Sequence, residues 1–131
     1  MIVAVADTHA LIWALLGDKR LSPAARAAMT VSASDQIGIS AISLVEIAYL
    51  EEKGRVPIGM LARIVAILAA TTSVLAEIPI NVSIVQTMTR IARDAIADMP
   101  DRIIAATALH LQVPLISRDA TIQASSVETI W

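Results

Sequence analysis

The chain has 131 residues, of which 56% are hydrophobic and 17% charged, a composition that excludes intrinsic disorder and predicts one domain over residues 1–131. It contains no cysteine, which excludes disulfides, zinc–thiolate sites and a cysteine nucleophile. The net charge of -2 argues against a protein that holds nucleic acid by bulk positive charge. A nucleic-acid partner would therefore need a local basic patch or a metal ion.

The apolar segments predict a cytoplasmic protein without a membrane partner. The longest uncharged apolar stretch in the middle of the chain, residues 64–76, is too short to span a bilayer. Met1 leads directly into an apolar segment, without the basic region and cleavage site of a signal peptide. The 24 alanines and the absence of Phe predict a finely divided aliphatic core, with helices packed closely on a sheet.

The N-terminal segment predicts a buried strand followed by a helix. Residues 2–6 are all apolar, as in strands covered on both faces of a parallel sheet, and apolar residues then recur at helical spacing from Leu11. Asp7 and Thr8 lie between the two elements, at the strand end where open α/β folds bind ligands. The same position suits a helix N-cap, so the local pattern leaves both roles open for Asp7.

The middle of the chain alternates predicted helices and strands. A short helix begins at Ser22 and Pro23 and ends at Met29, and a strand follows over residues 36–40. Residues 60–70 are predicted to form a helix with apolar side chains on nearly every side, which is typical of a buried helix or of an interface.

Pro79 confines a third strand, over residues 75–80, to an edge or an end of the sheet. A capped helix is predicted over residues 81–88, and residues 89–97 either extend it or form a second short helix.

Glu46 lies in a helix that is predicted to follow the second strand and to end at Gly54. Ser43 and Glu46 match a capping box, in which the glutamate reaches back to the N–H of the capping residue, and this pattern alone favours a structural role. It also puts Glu46 in the first helical turn, just beyond a strand, as with Asp7. Two acids are thus expected at one edge of the sheet.

Two more acids follow the same arrangement. Residues 98–102 open a helix with Pro100 in its first turn, where the helix dipole favours the carboxylates of Asp98 and Asp101. A buried strand over residues 113–117 is followed by Asp119, and a last, edge strand is predicted over residues 127–131.

The alternation of elements predicts an α/β fold, a three-layer α/β/α sandwich with a mostly parallel sheet of about five strands. Four acids then fall at its C-terminal edge: Asp7, Glu46, Asp101 and Asp119. Carboxylates brought this close raise one another's pKa unless cations lie among them. An all-oxygen cage suits Mg²⁺, with Mn²⁺ as a substitute, and such ions support phosphodiester hydrolysis.

Four stretches of the chain resemble PIN-domain ribonucleases, specifically the VapC-type toxins of toxin–antitoxin pairs. They are VADTHALIW at 5–13, ISAISLVEI at 39–47, DMPDRIIAATA at 98–108 and LISRD at 115–119. Each is weak alone, but their order and spacing are specific, and the resemblance covers essentially the whole chain. It departs at one place: the family usually has proline directly after the first aspartate of the third stretch, where this chain has Met99.

The resemblance implies a Mg²⁺-dependent endoribonuclease that is held inactive by a cognate antitoxin, whose C-terminal segment lies in the acidic groove, and that forms a homodimer with a contribution from residues 60–70. It implies that Asp7, Glu46, Asp101 and Asp119 bind the metal and that Thr8 and Ser117 are supporting hydroxyls. The shifted proline leaves the division of roles between Asp98 and Asp101 open, and we expect Asp98 to cap the helix and Asp101 to act.

The other charged residues are given mostly structural roles. His9 is expected on a helix face near the site rather than as a ligand, and His110 at the surface or as a cap. Arg102 and Arg118 adjoin acids, which leaves phosphate binding open, but ion pairs that hold Asp101 and Asp119 in place are the favoured role. Lys53 and Arg55 are candidates for contact with the cleaved strand.

Two other functions remain open. One is a non-catalytic binding module in which the acids only cap helices, and the other is a housekeeping PIN nuclease that processes RNA without an antitoxin.

Overall fold

The computed structural model describes all residues, Met1–Trp131. Its strands are β1 (Ile2–Ala6), β2 (Gln36–Ser40), β3 (Leu75–Ile78), β4 (Leu115–Ile116) and β5 (Thr129–Ile130). Its helices are α1 (Thr8–Leu16), α2 (Pro23–Met29), α3 (Ala41–Glu52), α4 (Met60–Ala69), α5 (Val82–Met88), α6 (Met99–Leu111) and α7 (Ala120–Gln123). None of the helices is both long enough and apolar enough to cross a membrane.

The strands form one parallel sheet in the order β3-β2-β1-β4-β5. β1 is central, between β2 and β4, which explains why its residues are apolar without alternation. β3, which precedes Pro79, and β5 are the edge strands, as predicted. The predicted α/β architecture with about five strands is therefore confirmed, and the sheet is parallel throughout.

Successive residues of β1 point to opposite faces of the sheet and so enter two different cores. Ala4 and Ala6 belong to a cluster with α1, α2 and α4, which includes Leu11 and Ile64. Val5 belongs to a second cluster, built largely from α5, α6 and β4. Helices thus cover both faces, and the three-layer arrangement brings the C-terminal ends of β1, β2 and β4 side by side.

Some predicted boundaries are wrong. α3 begins at Ala41, with Ser40 as its N-cap, because the Ser40 Oγ accepts a hydrogen bond from the Ile42 N–H at 3.3 Å. Ser43 is therefore inside the helix, Glu46 lies in its second turn, and the predicted capping box does not exist.

Residues 89–97 form turns rather than a helix, and the short helix α7 was not predicted. The N-caps of α2, α5 and α6, which are Ser22, Asn81 and Asp98, agree with the predicted starts.

Candidate active site

A cleft of about 400 Å³ opens at the C-terminal edge of the sheet. Residues from four separate parts of the chain line it: Asp7, Thr8, His9, Trp13, Arg20, Glu46, Asp101, Arg118 and Asp119. The four acids that the sequence predicted at one edge therefore line one cleft. This arrangement follows from the parallel sheet, since each acid comes after, or packs against, the end of a central strand.

Asp7 joins the sheet to α1. Its N–H donates to the Ile116 carbonyl at 3.1 Å, which fixes its backbone at the end of β1, and its Oδ1 accepts from the Ala10 N–H at 2.8 Å. Asp7 is thus the N-cap of α1 and a cleft residue at once. Its side chain is only 9% exposed, and this burial raises the pKa of the Asp7 carboxyl. Hydrogen bonds from Ser117 and from the Ala10 N–H oppose the rise.

Glu46 is held by the helix that follows Asp7. The Thr8 hydroxyl donates to Glu46 Oε1 at 2.6 Å, and the same hydroxyl lies 3.0 Å from the Ser43 Oγ. Thr8 and Ser43 are both buried, so the Glu46 carboxylate is fixed by groups that have little freedom to move. This bond between α1 and α3 takes the place of the capping box and orients Glu46 toward the cleft.

Ser117 and Asp119 follow β4. The Ser117 side chain is fully buried, and its Oγ accepts from the Asp119 N–H at 3.1 Å. Asp119 Oδ1 accepts from the Ile122 N–H at 3.0 Å and so caps α7. Ser117 therefore fixes the backbone at Asp119, and its hydroxyl opposes the rise in the pKa of Asp7.

Asp98 and Asp101 occupy different positions at the start of α6. Asp98 is the exposed N-cap, and its Oδ2 accepts from the Asp101 N–H at 3.1 Å. Asp101, in the first turn, lines the cleft, whereas Asp98 does not. Burial, followed by the charges of Asp98 and Asp119, raises the pKa of Asp101 to about 7. The charges of Glu46 and Asp7 add to the same shift.

The donor chemistry of the cleft fits a hard divalent cation. All four acids offer carboxylate oxygens, and neither oxygen of Asp101 accepts a hydrogen bond from the protein. A cation would relieve the repulsion that raises the pKa of Asp101. In this structure, however, no three acidic or histidine side chains lie close enough together to hold one ion. The carboxylates would have to move toward one another to coordinate a metal.

The basic residues are arranged differently from the prediction. Arg102 donates to the carbonyls of Met88 and Ile91 at 3.1 and 2.9 Å, so it braces the turns before α6 instead of pairing with Asp101. Arg118 lies over the Trp13 ring, 5.4 Å from its centroid, and does not pair with Asp119. The predicted ion pairs are therefore wrong.

The candidates for strand contact also differ. Lys53 and Arg55 do not line the cleft, and Lys53 lies over the Tyr49 ring. Arg20 and Trp13, which do line it, were missed. The helical spacing of His9 and Trp13 after Asp7 could have identified Trp13, but Arg20 follows a polar break that gives no such signal. His9 is exposed on α1 beside Trp13, and His110 is exposed near the end of α6, as expected.

Comparison with solved structures gives chains of the same fold. One chain in the structure of VapBC2 from Rickettsia felis bound to a promoter DNA fragment has 16% identity and a TM-score of 0.72, over 98% of this chain and 97% of that one. A toxin–antitoxin complex from Klebsiella pneumoniae gives 23% identity and a TM-score of 0.68, over 98% and 96%. FitAcB from Neisseria gonorrhoeae gives 15% and 0.65, over 97% and 96%. At these identities the likeness establishes the fold.

A comparison of the amino-acid sequence with models of protein families identifies the family of this chain. Curated protein sequences contain no significant match. The PIN domain family matches residues 4–125, which include all four acids of the cleft and the supporting residues Thr8 and Ser117. The chain therefore belongs to the PIN domain family, a family of nucleases.

Proposed function

We propose that this protein is a metal-dependent endoribonuclease and the toxin of a toxin–antitoxin pair. The observation that carries the proposal is the convergence of four carboxylates in one cleft of a PIN domain, where burial, and then the neighbouring negative charges, raise the pKa of Asp101 to about 7. Capping accounts for Asp7 and Asp119, but Glu46 and Asp101 cap no helix with their carboxylates and still line the same cleft.

The metal in this proposal is Mg²⁺, with Mn²⁺ as a substitute, held by Asp7, Glu46, Asp101 and Asp119. The chemistry that such an ion supplies is the activation of water as a nucleophile and the neutralisation of negative charge at the phosphate. Glu46 and Asp119 each accept a hydrogen bond through one oxygen and keep the other free for a ligand.

The remaining residues orient these acids. The Thr8 hydroxyl holds one carboxylate oxygen of Glu46, and the Ser117 hydroxyl accepts from the Asp119 N–H and so fixes the backbone of that acid. Its raised pKa means that Asp101 holds a proton more readily than an ordinary aspartate near neutral pH, and a bound cation would favour its carboxylate form. Asp98 caps α6 and raises the pKa of Asp101 by its charge.

The proposal is tested by incubating purified protein with labelled single-stranded RNA in Mg²⁺, Mn²⁺ or EDTA. We expect cleavage that requires metal and leaves 5′-phosphate and 3′-hydroxyl ends, and Asp7→Asn as the matched inactive control. A protein that leaves RNA intact in both metals, or that cuts equally well in EDTA, would contradict the proposal.

The partners we propose are a cognate antitoxin and a second copy of this chain. The acidic cleft suits a basic antitoxin segment, and the structural relatives include toxin–antitoxin complexes. Large apolar side chains on and around α3 and α4 are exposed, among them Val45, Tyr49, Ile58 and Val65, the last at 52%. Half-exposed apolar residues on adjacent helices are typical of an interface. Light scattering of the isolated protein tests the dimer.

Expression without an antitoxin separates a toxin from a housekeeping nuclease. We expect induction of the protein to arrest growth, and co-expression of the protein encoded by the neighbouring reading frame to restore it. Normal growth on induction of an enzyme that is active in vitro would favour the housekeeping function.

A non-catalytic binding module is the second candidate, because Asp7 and Asp119 do cap helices. A module in which the acids are only caps would show no saturable Mn²⁺ binding and no rise in stability with metal. Calorimetric titration with Mn²⁺ therefore distinguishes the two functions without an activity assay.

A further inference from the structure

One end of the cleft is basic and aromatic. Trp13, Arg20 and Arg118, which we call the Trp13 patch, lie together there. The guanidinium carbons of Arg20 and Arg118 are 4.9 and 5.4 Å from the Trp13 ring centroid. The Trp13 side chain is only 8% exposed, so the arginines, rather than the ring, face the solvent. The patch thus presents two guanidinium groups, of which only Arg118 has no acidic partner, beside an aromatic ring.

Arg20 is held in place before any ligand binds. Its Nε and Nη2 donate to the two carboxylate oxygens of Asp18 at 3.1 and 2.8 Å, and its backbone N–H donates to the same carboxylate at 2.8 Å. The guanidinium of Arg20 lowers the pKa of Asp18 to about 2, so Asp18 is ionised at every working pH. This contact leaves Nη1 of Arg20 free. Because Asp18 already restricts the Arg20 side chain, the side chain loses less conformational entropy when a ligand binds.

Arg118 is a cation without a protein partner. The one ion pair in the structure joins Arg20 to Asp18, and no oxygen of the protein accepts a hydrogen bond from the Arg118 guanidinium. Asp119 follows it directly but uses its carboxylate to cap α7. An exposed guanidinium with free donors, fixed over a ring, matches the geometry of a phosphate group.

The patch lies beside the acids, since Arg118 directly precedes Asp119 and both line the cleft. Trp13 comes six residues after Asp7 along α1, which corresponds to about 9 Å along a helix axis. A nucleic-acid strand that lies in the cleft passes an acidic end, where its phosphates are repelled unless a cation is bound, and a basic end, where they are attracted.

We propose that the Trp13 patch binds a phosphate of the RNA strand next to the one that is cleaved, and thereby sets the position of the strand along the cleft. This inference rests on the proposed function. The patch also explains how a chain with a net charge of -2 binds a polyanion, since it is the local basic site that the composition requires.

The test is the salt dependence of RNA binding in EDTA, where no cleavage occurs. A short fluorescein-labelled single-stranded RNA is titrated with protein at about 50 to 200 mM salt, and anisotropy gives Kd. Loss of one phosphate contact reduces the slope of log Kd against log salt by about 0.7. We expect this reduction for Arg20→Gln and for Arg118→Gln, and twice as much for the double variant. At 0.1 M salt each single variant then binds about fivefold more weakly.

Two control variants separate phosphate binding from other effects. Arg93→Gln removes an exposed arginine outside the cleft and should leave the slope unchanged. Arg118→Lys keeps the charge and should keep most of the slope. Loss of the slope in Arg118→Lys would mean that the substitution damages the structure around Trp13, and would overturn the assignment.

The remaining outcomes also decide between explanations. Wild type that binds and cuts RNA, with glutamine variants of unchanged slope, would overturn the patch and leave the proposed function intact. Wild type that neither binds nor cuts RNA would overturn both. Glutamine variants that bind RNA normally but lose affinity for polyglutamate would assign the patch to an acidic protein partner instead.

Discussion

Asp101→Asn should make the protein more stable at alkaline pH and have little effect on stability in acid. The folded state raises the pKa of Asp101 to about 7, whereas an aspartate in an unfolded chain has a pKa of about 3.9. Below the unfolded value both states are protonated and the group contributes nothing. As the pH rises toward 7, Asp101 loses its proton in the unfolded chain before it does so in the folded protein, so the free energy of unfolding falls. Above pH 7 this loss of stability is complete.

The size of the effect follows from the shift. A difference of about 3 units corresponds to roughly 4 kcal/mol at 1.36 kcal/mol per unit. Because Asp101 is partly exposed, solvent screening reduces this to about 2 kcal/mol. For a domain of this size that free energy raises Tm by roughly 7 °C. Asparagine is nearly the same size as aspartate, and the backbone N–H of residue 101 still donates to Asp98. We therefore expect no loss of stability that offsets this gain.

The assay is thermal unfolding of wild type and Asp101→Asn in EDTA between pH 4.5 and 8.5. Asp94→Asn, which removes an exposed aspartate outside the cleft, is the matched control and should follow wild type at every pH. With Mn²⁺ at high pH, wild type should recover stability and Asp101→Asn should recover less. Parallel curves for wild type and Asp101→Asn across the range would refute the raised pKa of Asp101 in the folded protein.

Three further substitutions test individual acids by RNA cleavage and Tm. Asp7→Asn should abolish cleavage and growth arrest without loss of Tm, because asparagine still accepts from the Ala10 N–H; full activity would exclude Asp7 from the site. Glu46→Gln should lose most activity and change the free energy of unfolding by no more than about 1 kcal/mol, since glutamine still accepts from Thr8. An active variant would return Glu46 to a structural role. Asp98→Asn should still cap α6 and keep measurable cleavage, whereas Asp101→Asn should be inactive and bind Mn²⁺ weakly. The reverse result would exchange the roles of the two residues.

Local sequence was enough for the elements that position the site. The apolar run before Asp7 predicted a central strand, because a strand covered on both faces of a sheet has no solvent-exposed positions for polar side chains. Asp98 and Pro100 marked the start of α6, since the cap and the fixed proline φ act within one helical turn. The placement of the four acids at one edge followed from these elements, given a parallel sheet.

The partners of each side chain were decided by tertiary structure. Ser40 and Ser43 are three residues apart and both suit a helix N-cap, and the sequence pattern favoured the wrong one; the contact of Glu46 with Thr8 on another helix depends on how α1 and α3 pack. Arg118 adjoins Asp119 in sequence, yet it stacks on Trp13, because neighbouring residues in a turn point in different directions. The sequence determined which residues reach the cleft edge through short-range preferences, and only packing determined which of them meet, since those contacts join segments far apart in the chain.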